Sequence, residues 1–192
     1  MSFADQLQKQ KIKLKGADTI VTNADGQRYI ESKTNEKIIL SPNAYGFVVD
    51  NKPDNTPALI TEHLYVGSQD CTAENVLVQH DIRHVLSLGV KVPLKIDYKY
   101  IDCLDLPEID VRPLLEKSLP YLRDCVLLKQ NVLVHCNAGV SRTSTVAIGY
   151  LMQYENMSFD EAHELVKTKR PAVRPNDGFR KQLEQLKPGE LI

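Results

Sequence analysis

Tryptophan is missing from this chain, and aromatic residues make up only 6% of it. Its four cysteines (Cys71, Cys103, Cys125 and Cys136) show no Cys-x-x-Cys spacing and no metal-type pairing with histidine, which argues against a zinc site or a disulfide framework. His63, His80, His84 and His163 likewise lack ligand spacing, so no metal and no cofactor is expected. No apolar run approaches the length of a membrane span. The opening Met-Ser-Phe-Ala-Asp-Gln does not read as a signal peptide, and Ser2 stands where myristoylation needs glycine. A formal net charge of -1 argues against a dedicated nucleic-acid binder. Internal repeats and low-complexity tracts are also lacking.

What is present reads as a globular α/β protein of 192 residues, with 42% hydrophobic and 26% charged residues. Residues 1–57 read as an extension and linker. Within them Lys9, Lys11, Lys13 and Lys15 alternate with Gln10, Ile12 and Leu14. Thr19–Thr22 and Gln27–Ile30 are expected to pair as a hairpin across Asn23-Ala24-Asp25-Gly26, since Asp-Gly is a strong turn signal. The polar, proline-rich run from Asp50 to Pro57 reads as a linker or surface loop.

Residues 58–192 alternate strand and helix patterns. Strands are expected over His63–Gly67, His84–Gly89 and Tyr98–Leu104, and helices over Thr72–Gln79 (capped by Asp70 or Thr72) and Ser118–Leu128. Ser158-Phe159-Asp160-Glu161 is a capping box for a helix reaching about Lys169. Arg170-Pro171 stops it, and a last helix starts near Asn176 or Asp177. Such alternation means a mostly parallel central sheet flanked by helices on both faces.

Val132 to Thr143 carries the chemistry. Val132-Leu133-Val134 reads as a buried strand, His135 and Cys136 end it, and an apolar helix follows Arg142. A strand, a tight loop and a helix N-terminus gather unpaired N–H donors and the positive end of a macrodipole around one point, an anion site. Cys136 at its mouth, beside a guanidinium, is expected to be held as the thiolate. The planar fork of Arg142 suits two phosphate oxygens. Nucleophile, N–H ring and arginine together describe covalent phosphoryl transfer.

His135-Cys136-x5-Arg142-Thr143, with Asn137, Ala138, Gly139, Val140 and Ser141 as the five, resembles the signature of cysteine-dependent protein phosphatases. Gly139 and Ser141 make it similar to the dual-specificity branch, and the likeness runs from about Ala58 to Lys187, closest to the atypical group. The resemblance implies the cysteine-dependent phosphatase fold and a general acid on a loop facing the cysteine. Asp105, just past the third strand, is the candidate, with Asp102, Glu108 and Asp110 as rivals. Asp102 is the weaker because it would fall inside that strand. The resemblance gives Thr143 the role of steadying the thiolate as leaving group and Asn176, in Arg170-Pro171-x-x-x-Pro175-Asn176, that of bracing the loop. His135 is expected to order the loop, and Cys103 is a candidate partner for an oxidised Cys136.

The larger tyrosine-specific phosphatases need a Trp-Pro-Asp loop, which a chain without tryptophan lacks. Inositol-lipid phosphatases line the loop with lysine, whereas Asn137, Ala138 and Val140 are neutral. Glucan phosphatases want aromatic platforms, and none is evident. The expected activity is hydrolysis of phosphotyrosine and phosphoserine/phosphothreonine in proteins. The alternatives are a catalytically weak phosphoprotein-binding scaffold, or a phosphatase for a non-protein ester. Lys9, Lys11, Ile12 and Leu14 resemble the docking segments by which MAP kinases hold their regulators, set against a plain solvated strand or tail. Free thiols imply a reducing compartment, the cytoplasm with a share in the nucleus.

Overall fold

A computed structural model describes residues 19–22, 28–31, 37–39 and 54–192. The chain divides into two compact units, Met1–Phe47 and Val48–Ile192. In the first, β1 (Thr19–Thr22), β2 (Arg28–Glu31) and β3 (Lys37–Ile39) form an antiparallel sheet in that order. The expected pairing of the first two strands is present but one residue later in the second strand, Thr19 facing Glu31 and Thr22 facing Arg28 rather than Ile30 and Gln27. The strand β3 had no clear alternation to announce it. The Asn23–Gly26 turn and the Lys9–Leu14 segment lie outside the described residues.

The second unit runs β4 (Ala58–Thr61), β5 (Leu64–Gly67), a 3-10 turn (Gln69–Thr72), α1 (Glu74–Gln79), β6 (Ile82–Leu88), β7 (Asp97–Ile101), α2 (Arg112–Leu127), β8 (Asn131–His135), α3 (Arg142–Tyr154), α4 (Phe159–Lys169) and α5 (Asp177–Gln185). Its five strands lie in the order β4-β5-β8-β6-β7. Only β4 is antiparallel to its neighbour. The signature strand is therefore central, paired on both sides, and its three apolar residues serve both faces of the sheet. Val132 and Val134 join Leu64, Val66, Leu86 and Leu88 in the core shared with α2 to α5. Leu133 joins Val85 and Ile82 under Val76 and Leu77 of α1.

Helix α3 is buried at every position from Thr143 to Met152. Fully buried Ile148, Leu151 and Met152 contribute about 1.5–3 kcal/mol each, enough to fix where this helix begins. The sheet and α3 thus pin both ends of the Cys136–Arg142 loop.

Several boundaries differ from the sequence reading. Helix α2 starts at Arg112, not Ser118, with Pro113 in its first turn and Pro120 inside it. Pro120 has no N–H for the Glu116 carbonyl. Burial of Leu114, Leu115, Leu119 and Leu122 along one stripe outweighs that loss. Strand β7 ends at Ile101, so Asp102 lies beyond the strand rather than in it. Helix α1 starts at Glu74 after Ala73, without a side-chain cap, and Ser68 instead caps the preceding 3-10 turn by accepting from the Asp70 N–H. The capping box at Ser158 and the Asn176 cap on α5 are both present.

Candidate active site

Cys136 follows β8 directly and is 2% exposed, so it lies on the floor of the loop rather than at its mouth. The five carbonyls after it are all taken from outside. Asn137 O accepts from Gln69 N at 2.9 Å, and Ala138 O and Gly139 O accept from Arg170 Nη2 (3.3 Å) and Nε (3.0 Å). Val140 O accepts from Arg174 N at 3.1 Å and from the Ser144 hydroxyl. Ser141 O accepts from Thr145 N and from the Ser144 and Thr145 hydroxyls. No peptide here is cis. In a trans peptide the N–H points opposite to its carbonyl, so the N–H groups of residues 138–142 turn to the inner side. Gly139 permits this bend at φ +67, pressed against the Gly67 carbonyl where a Cβ would have no room.

Arg142 opens α3 and reaches across the sheet end. Its Nη1 donates to Leu88 O (3.0 Å) and Cys103 O (3.3 Å), beside Gly89, where a Cβ would strike the guanidinium. Its buried Nε makes no hydrogen bond among the described residues and lies 3.7 Å from Asp105 Oδ2. The backbone anchors thus fix the guanidinium plane and leave the Nε edge for a planar acceptor.

His135 is fully buried and held on both sides. Its Nδ1 faces the Cys136 carbonyl at 3.2 Å, which can only accept, so the proton is on Nδ1 and Nε2 accepts from the Ser87 hydroxyl. Burial lowers its pKa to about 4, against the opposing pull of the Cys136 carbonyl and with help from Arg142. Burial thus favours the neutral ring, which links the Ser87 hydroxyl to the Cys136 carbonyl.

Asp105 is where the loop, α5 and the guanidinium meet. Its Oδ1 accepts from Ser141 Oγ at 2.6 Å and from Asn176 Nδ2 at 2.8 Å. Ser141 Oγ in turn accepts from the Asn176 N–H, and Asn176 Oδ1 caps α5 through the Phe179 N–H. The rivals are placed differently. Asp102 accepts from the Tyr100 hydroxyl, Asp110 accepts from the Arg112 N–H at the start of α2, and Glu108 is exposed. The stretch after Asp105 is fixed by Gln182, which accepts from Val111 N and donates to Ile109 O, and by Pro107 lying on Gly178.

Thr143 is buried and its hydroxyl makes no hydrogen bond among the described residues. Cys103 is half-buried with its thiol pushed up to about 11, by burial above all, against the pull of Arg142. Among the described residues no group of three His, Cys, Asp or Glu side chains is placed to hold a metal ion.

A family model described as the dual specificity phosphatase catalytic domain matches residues 64–188. The chain belongs to the dual specificity phosphatase family. It is a dual-specificity protein phosphatase, a phosphoric monoester hydrolase. Mouse dual specificity protein phosphatase 19 is 33% identical over 198 aligned residues, 94% of this chain and 90% of that protein. Dual specificity protein phosphatase 1 of Arabidopsis thaliana is 31% identical over 70% of this chain and 71% of its own. A crystal structure of DUSP15 superposes with a TM-score of 0.65 at 31% identity, covering 69% of this chain and 87% of that one.

In this phosphatase the structure brings Asp105, Ser141, Arg142 and Asn176 together around the loop after Cys136. Sequence reasoning passed over Arg170, Gln69, Ser87 and Gln182, which hold the site through backbone carbonyls or another side chain. Arg170-Pro171 was legible as a helix stop, but the use of its side chain was not.

Proposed function

We propose that the phosphatase cleaves phosphotyrosine and phosphoserine/phosphothreonine in proteins through a phosphocysteine intermediate. The Cys136 thiolate attacks phosphorus while the inward N–H groups of residues 138–142 and the Nε edge of Arg142 hold the three non-bridging oxygens. Protonated Asp105 gives its proton to the leaving oxygen, so a P–O bond breaks as a P–S bond forms. The Asp105 carboxylate then takes a proton from water as water attacks phosphorus and the P–S bond breaks. Thr143 is assigned to steady the departing thiolate, a role that suits a buried hydroxyl with no other partner among the described residues. The observation that carries this reading is the outward satisfaction of every loop carbonyl from Asn137 to Ser141.

The test is steady-state hydrolysis of an aryl phosphate beside phosphotyrosine, phosphothreonine and inositol-lipid substrates, for wild type and Cys136→Ser. Loss of turnover with retained phosphate binding is expected for the variant. Undiminished turnover, or preference for the lipid, refutes the reading.

Substrate choice is proposed to come from outside the neutral pocket. Basic Lys9 and Lys11 beside Ile12 and Leu14 suit a MAP kinase surface that offers acidic residues and an apolar groove. Alanine at all four should abolish kinase binding and spare aryl phosphate hydrolysis. Unchanged binding removes the segment from the account. The reading places the phosphatase in the reducing cytoplasm and the nucleus. Among the described residues no helix is long and apolar enough to cross a membrane.

A further inference from the structure

Asp54 stands in the polar, proline-rich stretch whose composition reads as a linker. Its carboxylate is nonetheless 2.5 Å from Nη1 of Arg170. Arg170 is 5% exposed and Asp54 40% exposed at the side chain, so the carboxylate is a surface group reaching a buried cation. The other two arms of that cation hold Gly139 O and Ala138 O, and Nη1 also approaches Thr56 O at 3.5 Å. The backbone of Asp54 serves the opposite support. Its carbonyl accepts from Ser68 Oγ at 2.6 Å and from the Cys71 thiol at 3.2 Å, next to Gln69, whose N–H holds Asn137 O. One residue therefore ties together both sets of donors that fix the first half of the loop.

We propose that Asp54 is a positioning residue for catalysis, acting through Arg170. The guanidinium is a rigid planar fork, so fixing Nη1 fixes where Nε and Nη2 point. Those two donors hold the Ala138 and Gly139 carbonyls outward, and the N–H groups in the same peptides, of Gly139 and Val140, face the phosphate. Without the carboxylate the fork is a buried cation with only neutral acceptors, free to turn toward water and release the carbonyls. The inference rests on the reading of residues 136–142 as the phosphate site.

The experiment uses the full chain and measures aryl phosphate hydrolysis, its competitive inhibition by inorganic phosphate, and the thermal unfolding midpoint. Asp54→Asn keeps the shape and removes the charge. It is expected to weaken phosphate inhibition and lower kcat/KM by about 10–100-fold, since a misplacement near 1 Å can cost a hundredfold. Asp54→Glu should recover much of the loss, and Thr56→Ala, which keeps its backbone contacts, should be silent. Added to Arg170→Lys, Asp54→Asn should cost less than about twofold further, because the two act in one chain of contacts. A residue that merely stabilised the fold would lower the midpoint and leave phosphate inhibition unchanged. The proposal is overturned if folded Asp54→Asn keeps phosphate inhibition within about twofold of wild type. Glutamate performing no better than asparagine, or fully additive costs with Arg170→Lys, overturns it as well. If wild type is not inhibited by phosphate, the site reading itself fails, an outcome distinct from these.

Discussion

Asp105→Asn separates the two jobs the site asks of one side chain. Asparagine retains an Oδ1 to accept from Ser141 and Asn176, whose donors now lie 2.6 and 2.8 Å away, so the loop should hold its place. What disappears is an ionisable carboxyl: its protonated form supplies the proton for the leaving group, and its carboxylate form sets a negative charge 3.7 Å from Arg142 Nε. Loss of a positioned acid lowers kcat by about 10²–10⁴-fold, or about 3–5 kcal/mol at about 1.4 kcal/mol per tenfold. The charge acts in the opposite direction on binding. Two unit charges at this separation interact by about 4 kcal/mol at an effective dielectric constant of about 20. The side chains of Arg142 and Asp105 are 14% and 26% exposed, so solvent screening leaves nearer 1 kcal/mol. Arg142 freed of this competitor should bind inorganic phosphate about fivefold more tightly. The assay is kcat across aryl phosphates of graded leaving-group acidity, with phosphate inhibition measured in parallel. The loss in kcat should shrink as the leaving group improves, while the gain in phosphate affinity stays constant. An equal loss for every leaving group, or a larger one in Glu108→Gln, refutes the assignment of Asp105.

Three further outcomes follow from the same contacts. His135 has a folded pKa of about 4 against an ordinary 6.5, so its stabilising contribution is complete above pH 6.5 and is lost as pH falls towards 4. That is worth up to about 3 kcal/mol, seen as a falling urea midpoint whose slope His135→Gln should flatten. Gly178→Ala places a methyl on the Pro107 backbone and should displace the Asp105 segment, cutting kcat about tenfold without weakening phosphate inhibition; a parallel weakening of phosphate inhibition would show that the loop itself had moved. Mild peroxide should modify Cys136 before Cys71, Cys103 or Cys125, whose thiols burial holds up, the latter two at about 11. Peptide mass spectrometry gives the order, and earlier modification of Cys125 would count against an activated Cys136.

The central strand, the loop and the helix behind it were legible because each depends on local pattern: an apolar run, a glycine, a second apolar run. Asp105 was legible because the chemistry demands an acid and the resemblance indicates where to look. The start of α2 was not, since Pro120 argues locally for a first turn and only burial of Leu114 and Leu115 against the rest of the core argues otherwise. Asp102 was placed inside β7 because its alternation runs past the last paired residue, Ile101. Arg170 and Gln69 were illegible for another reason. Their partners are backbone carbonyls far along the chain, and a carbonyl leaves no trace in residue identity.

Apart from those of the Ser141 hydroxyl, the bonds that shape the loop between Asn137 and Ser141 end on main-chain oxygens, which every amino acid carries. The frame is therefore blind to the side chains at Asn137, which is exposed, and Ala138, which is half-buried. These two positions form a dial that turns without loosening the machine. A lysine or an aromatic group placed there alters which phosphate ester is welcomed and leaves the cradle intact. One backbone arrangement can thus serve a family of substrates, and the divergence of relatives is expected to concentrate at these two positions rather than in the residues that clamp the oxygens from behind.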